Sequence, residues 1–127
     1  MGPSLLVVDD SRLARMVVAG IVKRLRPDWT LLEASNAEEA LALLRQREVH
    51  VVLLDVNMPG MNGLDLARSL RETRPDMPIA IISANIQDDV AAAARAMEAA
   101  FLAKPVTEDS ISPFLGAAAL RLRRSGG

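Results

Sequence analysis

Apolar positions along the chain cluster into five short runs: SLLVV (4–8), TLLEA (30–34), VVLL (51–54), IAII (79–82) and AFLA (100–103). Between the runs the apolar residues change period, recurring every three or four positions. Leu13, Val17, Ile21 and Leu25 line one face of a first helix, with Ser11 placed to start it and Pro27 just past its end. Ala37, Ala40, Leu41 and Leu44 line a second, for which Ser35 or Asn36 is a good N-cap. Leu64, Ala67 and Leu70 follow Gly63 in a third, closed by RPDMP. A fourth, from about 86 to 98, carries a thin stripe of Ile86, Val90, Ala94 and Met97 among alanines.

The last helix has two readings. Thr107 before Glu108 and Asp109 makes an N-cap with an acidic first turn, yet Pro113 then falls inside the helix, against the carbonyl four residues back. Alternatively Ser112 and Pro113 are the N-cap and first position of a helix running from 113 to about 123. The pattern favours a kinked or restarted helix. Strands alternating with amphipathic helices indicate a parallel sheet covered on both faces. With right-handed crossovers, the expected α/β fold is a flavodoxin-like (βα)5 three-layer sandwich, its five parallel strands in the order 2-1-3-4-5.

The 127 residues suffice for a single domain, 1–127 with a core of about 4–123. Half the residues are apolar, and 15 Lys plus Arg nearly balance 16 Asp plus Glu, which argues against direct binding of nucleic acid through a basic surface. Trp29, Phe101 and Phe114 are too few aromatics for a base-stacking platform. Without cysteine there is no disulfide or thiolate metal site, and the lone His50 reads as a loop or strand-edge residue. No apolar run is long enough to insert in a membrane, and Asp9-Asp10 interrupts the only stretch resembling a signal peptide. A cytoplasmic location is expected. RLRR near the end suits a helix C-terminus, and SGG suits a frayed tail or linker start.

In the expected fold, ligands bind at the carboxyl ends of the strands where strand order reverses, between the first and third. The first run ends in Asp9-Asp10 and the third in Asp55. Three carboxylates in one crevice raise one another's pKa unless a cation intervenes. Mg²⁺, which takes carboxylate oxygens and keeps waters, is the natural candidate. Ser83 follows the fourth run and Lys104 the fifth, adding a hydroxyl and an ammonium suited to a tetrahedral dianion. Taken singly, each has a plainer reading: Asp10 as a helix cap, Asp55 as a loop starter, Lys104 as a solvated lysine, Phe101 as a core aromatic. Four such groups at four strand ends on one edge are much less expected by chance.

The segments LLVVDDSRLAR, LLDVNMPGMNGLDL, IAIISAN and FLAKP resemble, in order and approximate spacing, the response-regulator receiver domain of two-component signalling, over about residues 4–123. The resemblance implies that Asp55 is the phosphoacceptor and that Asp10, Asp55 and the backbone carbonyl of Asn57 hold Mg²⁺ (or Mn²⁺), with Asp9 acting through water or by orienting the site. It implies that Ser83 and Lys104 bind phosphoryl oxygens, that Asn57 and Asn85 tune the lifetime of the aspartyl phosphate, and that Pro105 follows a cis peptide. Ser83 and Phe101 would form a switch pair. The expected partners are a histidine kinase or phosphotransfer protein, and a downstream target or output domain on the face of the fourth helix, fifth strand and last helix.

Met97-Glu98 departs from the family, which often has Gly-Ala there, so a tighter loop or a fourth helix longer by a turn is expected. Two further readings remain: a small phosphohydrolase using an aspartyl phosphate on external substrates, and a receiver portion of a longer protein.

Overall fold

The computed structural model describes residues 2–56, 63–84 and 88–126. Among them, five strands alternate with five helices: β1 (Ser4–Val8), α1 (Arg12–Leu25), β2 (Thr30–Ala34), α2 (Ala37–Gln46), β3 (Val51–Asp55), α3 (Gly63–Thr73), β4 (Ile79–Ser83), α4 (Asp88–Ala96), β5 (Ala100–Ala103) and α5 (Glu108–Gly126). The strands form one parallel sheet in the order β2-β1-β3-β4-β5. The flavodoxin-like topology expected from the apolar runs is therefore the observed one.

Alternation of side chains along the strands divides the interior in two. Leu6, Val8, Val52, Leu54, Ile79 and Ile81 pack against α2, α3 and α4. Leu5, Val7, Val51, Leu53, Ala80 and Ile82 face α1 and α5. β1, β3 and β4 are apolar at nearly every position because both of their faces are covered, whereas edge strand β2 carries exposed Thr30 and Glu33.

Local signals fix most helix starts. Ser11 Oγ accepts from the Ala14 N–H, and Asn36 Oδ1 accepts from the Glu39 N–H at 2.8 Å. His50 precedes β3: its Nδ1 accepts from the Ser4 N–H at 3.0 Å, and its Nε2 lies 2.7 Å from Glu48 Oε1. With Nδ1 accepting, the neutral ring carries its proton on Nε2.

Three expectations need correction. On α1 the inward stripe is Val18, Ile21 and Val22, with Leu25 partly buried; Leu13 and Val17 are 71% and 47% exposed. The same 3.6-residue period fits both stripes, and only the packed neighbours decide between them. α4 ends at Ala96, short of the 98 read from the apolar stripe. Glu98, with φ 57°, occupies the left-handed position after the helix. The Ala99 N–H bonds to Ala94 O and the Glu98 N–H to Arg95 O, the two bonds of a Schellman turn, with glutamate where glycine is usual. Ile86, the expected start of the α4 stripe, lies outside the described residues.

The last helix does not restart. α5 is one helix with Pro113 inside it. A reciprocal cap sets its start at 108: Thr107 Oγ1 accepts from the Ser110 N–H, and Ser110 Oγ accepts from the Thr107 N–H. Ile111, Leu115 and Ala118, at helical spacing, are buried against the sheet. That burial outweighs the one hydrogen bond Pro113 cannot donate.

Candidate functional site

β1 and β3 are neighbours, so the residues that end them come together. Asp55 closes β3 and is 1% exposed; Asp9, one residue past β1, is 3% exposed. By alternation Asp55 lies on the Leu53 face, toward α1 and α5. Each of Asp9, Asp10 and Asp55 offers a carboxylate oxygen within 4.8 Å of the other two, and Asp10 is the exposed member.

Asp9 is held at every polar group. Its N–H donates to Ala34 O at 3.1 Å, its Oδ1 accepts from the Ser11 N–H at 2.9 Å, and its backbone carbonyl accepts from Arg15 Nη1 at 2.6 Å. Its Oδ2 faces Lys104 Nζ at 3.5 Å, and Asp55 Oδ2 faces the same ammonium at 3.3 Å. Burial alone would lower the pKa of Lys104, but the adjoining Asp55 and Asp9 carboxylates outweigh it and raise the pKa. Lys104 is carried by the turn after β5, where its N–H donates to Ser83 O at 3.0 Å. The Lys104–Pro105 peptide bond is cis.

Ser83 ends β4 and is completely buried. Alternation places it with Ile79 and Ile81, on the side of α2, α3 and α4. Phe101 pairs with Ile81 across β4 and β5 and is partly buried against that same cluster. Of the residues singled out from the sequence, Asp9, Asp10, Asp55 and Lys104 thus meet in one crevice, with Ser83 at the adjacent strand end. Asn57 and Asn85 lie outside the described residues.

Two features escaped sequence reasoning. Gly63, the first residue of α3, packs directly on the end of β3: a Cβ there would sit 2.3 Å from Asp55 O and 2.6 Å from Val56 Cα. Arg15 bridges the β1 exit to β2 through Asp9 O and Glu33. Its signal was present, since an arginine in the first turn of a helix opposes the helix dipole.

The crevice supplies hard oxygen donors and no imidazole or thiolate, a set that fits Mg²⁺ or Mn²⁺ better than zinc. Both Asp9 oxygens and Oδ2 of Asp55 already face donors of the protein, while Asp10 is the exposed member of the three.

Three acids and one lysine at the switch point of a (βα)5 sheet define a class before any comparison. Residues 5–114 match the family described as response regulator receiver domain, and the chain belongs to that family. It is 38% identical over 115 residues to the positive alginate biosynthesis regulatory protein of Pseudomonas aeruginosa, covering 88% of this chain and 45% of that protein. The chain thus spans about half the length of that curated relative. A CheY-like response regulator receiver domain protein from Methanospirillum hungatei superposes with a TM-score of 0.86 at 20% identity, covering 98% of this chain and 99% of that one. The response regulator protein TrrA from Thermotoga maritima, solved in complex with Mg(2+)-BeF, superposes with a TM-score of 0.80 at 24% identity, covering 92% and 99%. Receiver domains are signalling switches. Among the described residues no helix is long and apolar enough to cross a membrane.

Proposed function

We propose that Asp55 accepts a phosphoryl group from the phosphohistidine of a histidine kinase or phosphotransfer protein. The observation that carries this is a carboxylate at the end of β3, buried yet facing an ammonium at 3.3 Å and two further acids. The P–N bond of the donor imidazole breaks as a P–O bond to Asp55 forms. A carboxylate nucleophile has no proton to surrender, so the step needs charge neutralisation and positioning more than a base. Lys104 provides positive charge beside the nucleophile, and the ends of β1 and β3 hold the acids in place.

Asp10 and Asp55, with Asp9 behind them and the Asn57 carbonyl as a further oxygen, would hold Mg²⁺ or Mn²⁺. When bound, that ion supplies charge neutralisation at the phosphoryl oxygens. TrrA, which shares the fold, was solved in complex with Mg(2+)-BeF, and this supports a divalent ion at such a site. Exposed Leu13 and Val17 line a groove of about 380 Å³ that Asp9 and Lys104 also line, an apolar grip for a donor protein beside the acceptor.

Ser83 bonds a phosphoryl oxygen and Phe101 follows it, changing the face of α4, β5 and α5 for a target or output domain. A recess of about 430 Å³ between β5 and α5, bordered by Phe114 and half-exposed Leu120, supports that face as the partner surface. Asn57 and Asn85 tune how long the acyl phosphate lasts.

The test is intact mass after acetyl phosphate treatment, with and without Mg²⁺, on wild type and Asp55→Asn. One added phosphate requiring both Asp55 and Mg²⁺ is the expected result. An adduct that persists in Asp55→Asn would overturn the assignment, and steady turnover of phosphate esters would mark a phosphohydrolase instead.

A further inference from the structure

Arg15 occupies an unfavourable place. The first turn of α1 carries Arg12 and Arg15 and no acidic residue, although a helix N-terminus favours negative charge. Arg15 is nevertheless drawn inward, its side chain only 14% exposed. One edge of its guanidinium donates from Nε to Glu33 Oε1 at 3.0 Å, and Nη1 donates to the backbone carbonyl of Asp9 at 2.6 Å. A planar fork engaged at both ends fixes direction as well as distance, which a lysine cannot do.

The carbonyl it grips belongs to the peptide joining Asp9 to Asp10. The N–H of Asp9 is already tied to Ala34 O on β2, and Arg15 ties its C=O to Glu33 on the same strand. β2 is thereby linked to both sides of Asp9, so the plane from which Asp10 departs is set by an edge strand. Asp10 is exposed and has no burial to orient it. Glu33 pairs with the guanidinium, so the clamp adds little net positive charge beside the acidic cluster.

We infer that Arg15 is a positioning residue: with Glu33 it orients the Asp9–Asp10 peptide so that Asp10 presents its carboxylate to a divalent cation. The inference rests on the metal reading above. Loss of a partner that orients a metal ligand weakens affinity by roughly 10–100-fold, and Arg15→Ala is expected at the lower end of that range. Glu33→Gln keeps the bond to Asp9 but leaves the arginine charge exposed to the site, so a smaller loss is expected. Arg15→Lys reaches one partner and not both, and falls between wild type and Arg15→Ala.

The test measures Mn²⁺ affinity by electron paramagnetic resonance on the full chain, together with amide exchange at Ser11 in the absence of metal and the melting temperature. Weaker Mn²⁺ binding in the order Arg15→Ala, Arg15→Lys, Glu33→Gln, with faster Ser11 exchange in both Arg15 variants, supports the inference. A lowered melting temperature with unchanged affinity in Arg15→Lys and Glu33→Gln overturns it, even if Arg15→Ala fails to fold, and leaves the phosphoacceptor reading standing. Wild type that binds no Mn²⁺ removes the metal reading and this inference with it.

Discussion

Two cations, at opposite edges of the sheet, are held in opposite ways. Arg71, at the end of α3, donates to five backbone carbonyls, those of Arg74, Pro75, Met77, Met97 and Glu98. Burial, and then the nearby charge of Arg121, lower its pKa. Lys104, at the carboxyl edge, sits instead between two acidic side chains, Asp9 and Asp55. A cation bound to carbonyls is part of the chain trace, because no soluble ion is shaped to tie the α3–β4 loop to the α4–β5 loop. A cation bound between carboxylates has competitors. The first arrangement builds a scaffold, and the second leaves a site whose charge can be exchanged.

Arg71→Ala should break the scaffold end most severely. Five acceptors lose a charged donor, and about 3 kcal/mol of unfolding free energy should disappear in urea titration, with no restoration by Mg²⁺. Gly63→Ala strikes the other end through the backbone. A methyl group 2.3 Å from Asp55 O must displace the end of β3 or the start of α3, so a loss of about 2 kcal/mol and slower phosphorylation by acetyl phosphate are expected. If Gly63→Ala melted and reacted like wild type, α3 would not be seated on the acceptor strand as described.

Lys104→Met sharpens the contrast. Without the ammonium two buried carboxylates face each other, so the variant should be less stable than wild type in metal-free buffer and should gain more melting temperature from added Mg²⁺. Equal gains would mean that Lys104 and the ion do not share the same acids. The pH dependence has a definite sign. Because the pKa of Lys104 is raised, its stabilisation is complete below the unfolded lysine value of about 10.4 and is lost as pH rises through the folded value. Thermal melts above about pH 10.4 should therefore fall more steeply for wild type than for Lys104→Met. The smallest effect is a gain: Glu98→Gly removes a left-handed strain at φ 57° and should stabilise by about 1 kcal/mol.

The strands were readable because parallel-sheet interiors are apolar on both faces. Their ends were less so: β3 and β4 each run one residue past the apolar run, to Asp55 and Ser83, since ladder pairing continues through a polar side chain. The acid pair, Asp55 and Lys104 could be placed from the strand order alone. The face of α1 could not, because Leu13 and Val17 have the right period and the wrong neighbours. Nor could the Glu98 turn be read, since a glutamate there takes a left-handed position its residue type disfavours; of the two α5 starts the sequence offers, the Thr107 cap is the one that forms. Gly63 acts on backbone atoms of the site, and residue type alone does not announce contact with a carbonyl; Arg15 was marked only by its unfavourable place in the first turn of α1.

The sheet separates two interiors that share no side chains: Asp55 stands on the side of α1 and α5, and Ser83 on the side of α2, α3 and α4. A tetrahedral group bonded to one and hydrogen-bonded to the other would wrap around the sheet's rim like a staple. The two layers would then be tied together at that rim, so that a change of a few atoms at Asp55 is passed mechanically to the far face.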